Sequence, residues 1–251
     1  MAKNIVITGA SSGLGAALAA EYAAPNRALA LMGRNPVRLE EVALLCRAKG
    51  AITEVFAVDV TDAPAMAEAM CRFDVTYPVD LVIANAGISA GTGGGGESVE
   101  QVQKIFAINI NGVLNTVHPL IEQMKARGRG QIAIVSSIAG FRGSPTAPAY
   151  STSKAAVRVY GQALHGLLAP HGVTVSVICP GFIKTPMTDV NAFPMPFIMD
   201  ADKAASIILH GLEHGKRMIV FPFMMGVLAR VQNWLPEAWV DAMYNRLPAK
   251  K

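Results

Sequence analysis

Residues 4–15 read Asn-Ile-Val-Ile-Thr-Gly-Ala-Ser-Ser-Gly-Leu-Gly, an apolar run that passes directly into a turn rich in glycine and serine. A strand, such a turn and then a helix form the arrangement that brings backbone N–H groups and a helix N-terminus against a pyrophosphate. Any tight connection between a strand and a helix also favours Gly and Ser. Because this turn follows the first strand, the sequence favours a nucleotide site, lined by Gly9, Ser11, Ser12, Gly13, Leu14 and Gly15.

Six further apolar runs follow, continuous rather than alternating in polarity, at about 28–32, 55–58, 81–83, 132–135, 173–178 and 218–221. Continuous runs are typical of strands in a parallel sheet that is covered on both faces. Helical segments alternate with them at about 13–24, 36–48, 62–73, 98–126, 149–169 and 201–214. The alternation predicts an α/β fold, a single doubly wound parallel sheet (Rossmann fold) with helices on both faces.

We expect residues 1–251 to form a single domain, since α/β folds of about 250 residues commonly do so. Three segments are less regular: a glycine-rich loop at 91–96, a lid at about 186–200 and an apolar C-terminal extension at about 222–251. The extension contains two helical stretches, at about 224–234 and 237–246, and reads as an oligomer interface, a membrane surface or a substrate contact. The sequence favours the oligomer interface.

The composition excludes several classes of protein. Of 251 residues, 52% are hydrophobic and 16% charged, which excludes a disordered chain. A formal net charge of +4 is too weak to indicate nucleic-acid binding. The three cysteines, Cys46, Cys71 and Cys179, match neither a disulfide framework nor a metal spacing. We therefore expect no metal and a reducing, cytoplasmic compartment.

The end of the second strand indicates which nucleotide is bound. A carboxylate there favours NAD(H), but Gly33 stands where the acid would lie and Arg34 follows it. An arginine suits a 2′-phosphate, so the pair predicts NADP(H) rather than NAD(H). Asp59, with Val60 beside it, ends the third strand and either accepts a hydrogen bond from the adenine amino group or caps the next helix.

Tyr150 and Lys154 lie four residues apart, so they share one face of a helix. A fixed ammonium beside a phenol lowers the phenol pKa and makes Tyr150 a plausible proton donor to a carbonyl or acceptor from an alcohol. Ser137 ends the fifth strand, where a hydroxyl can hydrogen-bond a substrate oxygen. Asn109 lies on an amphipathic helix and reads equally as a hydrogen-bonded core residue. A Ser–His–Asp hydrolase is disfavoured because the Gly-x-Ser-x-Gly pattern is absent.

Taken together, these motifs resemble the short-form short-chain dehydrogenase/reductases of about 250 residues. The order and spacing agree from residue 4 to about 190. The motifs are Thr8-Gly9-x-x-x-Gly13-x-Gly15, Asp59, Asn85-Ala86-Gly87, Asn109, Ser137, Tyr150-x-x-x-Lys154 and Pro180-Gly181. The family often has a second Asn where this chain has Ala84, a variant that leaves the expected cofactor unchanged.

The resemblance implies a role for each matching residue. Tyr150 would be the acid/base, Lys154 would hold the nicotinamide ribose, Ser137 would orient the substrate oxygen, and Asn109 would hold a water of a proton relay. Further cofactor contacts would come from Asn85, Ala86, Gly87, Pro180, Gly181, Ile183 and Thr185. Family members usually pair through their long helices, which implies a homodimer or homotetramer.

The sequence thus predicts an NADP(H)-dependent oxidoreductase that moves a hydride between the nicotinamide and a carbonyl or secondary alcohol. An apolar small molecule is the expected substrate, because Met and Phe residues are concentrated in the lid. These residues read almost equally well as packing against the C-terminal helices. A non-enzymatic NADP(H)-binding or sensor protein is the alternative. The presence of Asn109, Ser137, Tyr150 and Lys154 disfavours it, since a binding protein needs no proton donor.

Overall fold

The computed structural model describes residues 2–89, 96–189, 195–236 and 239. Nine strands are present in these segments: β1 Asn4–Thr8, β2 Ala28–Gly33, β3 Ile52–Ala57, β4 Leu81–Ala84, β5 Gly130–Val135, β6 Val173–Pro180, β7 Ile183–Lys184, β8 Met199–Asp200 and β9 Met218–Phe221. Seven of them form one sheet in the order β3-β2-β1-β4-β5-β6-β9, and every neighbouring pair is parallel. The strand order reverses between β1 and β4, so the predicted doubly wound sheet is confirmed.

Ten α-helices surround the sheet in the described segments: α1 Gly13–Tyr22, α2 Pro36–Ala48, α3 Ala63–Thr76, α4 Val99–Phe106, α5 Gly112–Val117, α6 Ile121–Arg127, α7 Pro148–Leu168, α8 Pro186–Asp189, α9 Ala201–Glu213 and α10 Phe223–Val231. Helices α1, α2 and α9 cover one face, and α3, α5 and α7 cover the other. Consecutive residues of β1 therefore enter different cores, Ile5 and Ile7 one and Val6 the other, all fully buried. This explains why the strand residues read as continuous apolar runs.

The segment predicted to be helical at 98–126 is helical, but it is not one regular α-helix. A π-helical turn at Ala107–Asn111 separates α4 from α5, and a 3₁₀ turn at His118–Leu120 separates α5 from α6. Pro119 has no backbone N–H, which accounts for the second break. In a π turn each hydrogen bond joins residues five apart instead of four, so the side chains that follow point in a different direction from those of a regular α-helix. The spacing of apolar residues does not show this change.

The less regular segments are only partly described. Within the predicted lid, α8 is followed by β8, which pairs with β7 in a separate parallel two-stranded sheet that the sequence did not predict. Residues 91–95, 190–194 and most of the predicted helix at 237–246 lie outside the described residues. No helix in the described segments is long and apolar enough to cross a membrane. The boundaries of lid and extension stay predictions.

Candidate active site

A cavity of about 640 Å³ opens at the carboxyl end of the parallel sheet. Residues that follow β1, β2, β3, β4, β5 and β6 all line it, as expected for ligand sites in doubly wound sheets. Among the predicted site residues, only Asn109 does not line this cavity. The others are Gly9, Ser11, Ser12, Gly13, Leu14, Gly15, Arg34, Asp59, Val60, Asn85, Ala86, Gly87, Ser137, Tyr150, Lys154, Pro180, Gly181, Ile183 and Thr185.

The glycine-rich turn has a backbone that only glycine adopts readily. Gly9 and Gly13 have positive φ angles of +66° and +53°. At Gly15 the constraint is space, because a Cβ atom there would lie 2.1 Å from the carbonyl oxygen of Gly9. Helix α1 begins at Gly13, so its N-terminus points out of this turn into the cavity. The turn is thus shaped to accept a group that approaches the backbone closely.

The turn is tied to the loop after β4 by Thr8, which sequence reasoning did not single out as a functional residue. Its buried hydroxyl accepts hydrogen bonds from the backbone N–H groups of Asn85, at 3.1 Å, and Ala86, at 3.2 Å. The Asn85 side-chain amide donates to the Thr8 carbonyl oxygen at 2.9 Å. These bonds cross the gap where the strand order reverses and fix both loops at the cavity floor.

The far end of the cavity carries Arg34 and Asp59. Arg34 Nη1 lies 3.9 Å from Asp59 Oδ2, and the two side chains are 63% and 38% exposed, so the ion pair is weak. Asp59 Oδ1 accepts hydrogen bonds from the backbone N–H and hydroxyl of Thr61, both at 2.9 Å. Partial burial acts to raise the Asp59 pKa, but the Thr61 hydrogen bonds and the charge of Arg34 outweigh it and lower the pKa.

The opposite end of the cavity carries Tyr150 and Lys154, both on α7. The buried Lys154 Nζ lies 5.8 Å from the centre of the Tyr150 ring and donates to the carbonyl oxygen of Val135 at 2.9 Å. Burial lowers the Lys154 pKa to about 8, with a smaller opposing effect from Cys179. The Ser136 hydroxyl donates to the Lys154 carbonyl oxygen at 2.7 Å, which fastens α7 to the end of β5.

Ser137 faces Tyr150, and its hydroxyl donates a long hydrogen bond to the Pro180 carbonyl oxygen at 3.4 Å. Burial raises the pKa of the Tyr150 phenol and Ser137 opposes that shift, so the lowering of this pKa that was expected from Lys154 is not observed. Ser137 is itself fixed, because its hydroxyl accepts from the backbone N–H of Ala139 at 3.1 Å. A phenol with a raised pKa keeps its proton at neutral pH, so this pair can donate hydrogen bonds and a proton to one acceptor oxygen.

Asn109 lies behind the cavity wall, fully buried in the π-helical turn. Its Oδ1 accepts from the N–H of Ile88 at 2.8 Å, and its Nδ2 donates to the Ile88 carbonyl at 2.9 Å and to Ser153 Oγ at 3.0 Å. A Cβ atom at Gly87 would lie 3.3 Å from both Asn109 Oδ1 and Lys154 Nζ. Both amide protons are engaged, so any proton relay must use the second lone pair of Oδ1 or the backbone carbonyl.

We expect Asn109→Ala to lower the free energy of unfolding by about 1–3 kcal/mol, because it leaves the N–H and carbonyl of Ile88 without their partner. Turnover should fall as well, since the Ile88 loop lines the cavity. Asn111→Ala, at an exposed position of the same turn, should change stability by less than about 0.5 kcal/mol. Urea denaturation of both variants measures the difference, and equal losses would contradict the positioning role of Asn109.

Most residues that form the cavity wall beside Tyr150 were not predicted from the sequence. Its apolar part comes from Ile138 and from α10, through Met225, Leu228 and Ala229; its polar part comes from Arg142, Ser144 and Thr146. No spacing signal marks the polar residues, since they lie in an irregular loop between β5 and α7. The α10 residues were predicted as helix, but only the fold shows that this helix packs beside the cavity.

Comparison with known proteins supports the resemblance found in the sequence. The family model described as short chain dehydrogenase matches residues 3–193. An uncharacterized oxidoreductase of Myxococcus xanthus is 36% identical over 246 residues, which cover 98% of this chain and 97% of that protein. The match extends through the C-terminal part that the family model leaves out.

Two solved structures share the fold over nearly the whole chain. A short-chain dehydrogenase from Sphingobium yanoikuyae in complex with NADPH superposes with a TM-score of 0.80 at 24% identity, covering 98% of this chain and 96% of that one. A short chain dehydrogenase/reductase from Burkholderia phymatum in complex with NAD gives a TM-score of 0.84 at 22% identity, covering 99% and 97%. At these identities the likeness shows the fold alone.

Proposed function

Because the chain belongs to the short-chain dehydrogenase/reductase family and is an NAD(P)-dependent oxidoreductase of that family, we propose that it uses NADP(H) to interconvert an apolar carbonyl compound and the corresponding secondary alcohol. One observation carries this proposal: Ser137, Tyr150 and Lys154 line the same cavity as the glycine-rich turn. A dinucleotide that spans the cavity therefore reaches from the turn to the proton donor.

The residues present fit such a cofactor. The turn from Gly9 to Gly15 admits a pyrophosphate against its backbone, and the exposed Arg34 stands at the adenosine end. Thr185 touches the turn from the other side, because a Cβ atom at Gly13 would lie 3.0 Å from its methyl group. When bound, the nicotinamide supplies or takes up the hydride.

The chain's own residues supply the proton and the polarisation. In the direction of reduction, Tyr150 gives its phenolic proton to the substrate oxygen while the Ser137 hydroxyl donates a hydrogen bond to the same atom. The Lys154 ammonium, held against Val135, stabilises the phenolate that results. Oxidation of the alcohol runs the same steps in reverse, with Tyr150 as the proton acceptor.

We expect Arg34→Leu to raise the dissociation constant for NADPH about 10- to 100-fold, since it removes a charged partner for the 2′-phosphate. Gly33→Asp should favour NADH, because a Cβ atom at residue 33 meets only ordinary contacts, at 3.6 Å to Leu39 and 3.7 Å to Ser11. Arg38→Leu, at an exposed position on α2, is the matched control. Titration of NADPH and NADH fluorescence checks this; tighter binding of NADH by the unaltered protein would refute the preference.

The substrate class follows from the wall beside Tyr150. Ile138, Met225, Leu228 and Ala229 present hydrocarbon to the cavity, so an apolar carbonyl compound gains more from burial than a sugar would. A panel of ketones and aldehydes of increasing hydrocarbon content, assayed by NADPH oxidation, tests this. The catalytic efficiency should rise with apolar size, and a preference for polyhydroxylated carbonyls would contradict it.

We also propose that the chain forms a homodimer or homotetramer through α4 to α7. Exposed apolar side chains on these helices support this, namely Val99, Val159 and Leu167. Sedimentation equilibrium tests the assembly, and a monomer at micromolar concentration would contradict it.

A cytoplasmic location is likewise a proposal, supported by the free thiols of Cys46, Cys71 and Cys179 and tested by cell fractionation.

A further inference from the structure

Large apolar side chains are exposed along α10 and the residues that follow it. Phe223 is 78% exposed and Trp234 is 88% exposed. We call this surface the C-terminal ridge; its members are Phe223, Met224, Leu228, Val231, Trp234 and Trp239. Single exposed apolar residues are normal on a protein surface, but a contiguous group that includes both tryptophans of the chain marks an interaction site.

The charge of the chain is concentrated in the same part of the sequence. Residues 214–251 contain six basic residues and two acidic ones, so this segment carries a formal charge of +4. The whole chain also carries +4, so the basic and acidic residues of 1–213 balance. Tryptophan and leucine beside basic residues are typical of helices that lie at the surface of an anionic membrane.

The ridge lies next to the cavity. Met225, Leu228 and Ala229 of α10 line the cavity, while Phe223, Met224 and Val231 of the same helix are exposed. Leu228 belongs to both surfaces, because it lines the cavity and is 54% exposed. Helix α10 therefore borders the cavity and carries the exposed apolar surface at the same time.

We propose that the C-terminal ridge docks on an anionic lipid surface, with α10 lying in the plane of the interface and Trp234 at the level of the headgroups. The cavity then opens beside the lipid, so an apolar substrate enters past Leu228 without crossing water; this second step rests on the proposed function. A second copy of the chain fits the ridge less well, because residues 218–236 carry one basic residue, Arg230, and no acidic residue that could pair with it across a two-fold axis.

Vesicle binding tests the docking without any assay of turnover. The full chain is mixed with vesicles of phosphatidylcholine alone or with about 30% phosphatidylglycerol, and bound protein is separated by flotation. Because Trp234 and Trp239 are the only tryptophans, their emission reports on the ridge alone. We expect flotation with the anionic vesicles, a blue shift of the emission, and weaker binding at high salt.

Matched variants decide which surface binds. Phe223→Ser combined with Trp234→Ser should lower the vesicle partition coefficient at least about tenfold, since each change removes one large apolar anchor. Leu45→Ser combined with Val75→Ser, 64% and 84% exposed on α2 and α3, should bind as the unaltered chain does. All four side chains are exposed, so thermal unfolding should show little change in stability.

Three results would overturn the proposal. The first is that all protein stays with the unbound fraction for both kinds of vesicle. The second is equal loss of binding in the ridge variant and in the control variant. The third is that the ridge substitutions dissociate an oligomer in sedimentation equilibrium while no form of the protein floats, which would assign the ridge to a second copy. Tyr150→Phe should float normally. If the unaltered chain floats but turns over no carbonyl compound, the proposed function is refuted and the docking stays in place.

Discussion

Tyr150→Phe is expected to lower the rate of NADPH-dependent carbonyl reduction by about 10²- to 10⁴-fold, because it removes the proton donor and leaves the ring in place. The dissociation constant for NADPH should stay within about threefold, since the phenyl ring still fills the cavity wall. Single-turnover oxidation of NADPH measures the chemical step, and fluorescence titration measures binding. Reduction at an undiminished rate would show that another group supplies the proton.

Helix α7 offers a matched control for this prediction. Tyr160 lies further along the same helix, outside the cavity, and its hydroxyl is hydrogen-bonded to His118 Nε2 at 2.8 Å. Tyr160→Phe removes a phenolic hydroxyl from the same element without touching Ser137 or Lys154. Its turnover should equal that of the unaltered protein, so a parallel loss in both variants would indicate damage to α7 rather than loss of a proton donor.

Gly15→Ala is expected to weaken NADPH binding at least tenfold and to lower the free energy of unfolding by about 1–3 kcal/mol. The added methyl would lie 2.1 Å from the carbonyl oxygen of Gly9 and 2.7 Å from Asn85 Nδ2. Neither atom can yield cheaply, because Gly9 holds a tight turn and Asn85 is hydrogen-bonded to Thr8. Denaturant unfolding and cofactor titration report the two effects separately.

The control for Gly15 is again on α7. A Cβ atom at Gly166 meets no described atom within 4 Å, and the residue is exposed. Gly166→Ala should therefore stabilise the protein by about 0.5–1 kcal/mol through helix propensity. Unchanged stability and cofactor affinity in Gly15→Ala would mean that the turn relaxes more easily than its contacts imply.

The sheet was predictable from sequence because its strands are buried on both faces. Runs such as Ile5-Val6-Ile7 carry no polar residue, since alternate side chains enter two different cores. The breaks between α4, α5 and α6 were not predictable in the same way. Apolar residues recur at helical spacing across the π-helical turn, so the pattern does not show that Asn109 is re-aimed toward Ile88.

The site was predictable where chemistry demands a fixed residue type at a fixed spacing. Tyr150 and Lys154 share a helix face, and Gly9, Gly13 and Gly15 occupy positions that space or backbone restricts. The substrate wall was not predictable, because Arg142 and Leu228 are far apart in sequence and meet only through the fold. Thr8 stood in the glycine-rich motif but was given no role, because its hydroxyl acts on backbone N–H groups that only the fold brings near.

The Ser136 hydrogen bond to the Lys154 carbonyl has a consequence for how this enzyme can change. Together with the bond from Lys154 to Val135, it joins the helix that carries Tyr150 and Lys154, the proposed proton-transferring residues, to β5 as one rigid unit. The apolar wall from α10 is built on a different element, outside that unit. Substitutions in α10 can therefore alter which molecule is accepted while the chemistry applied to it stays the same, a separation that makes this helix the natural starting point for redesigning selectivity.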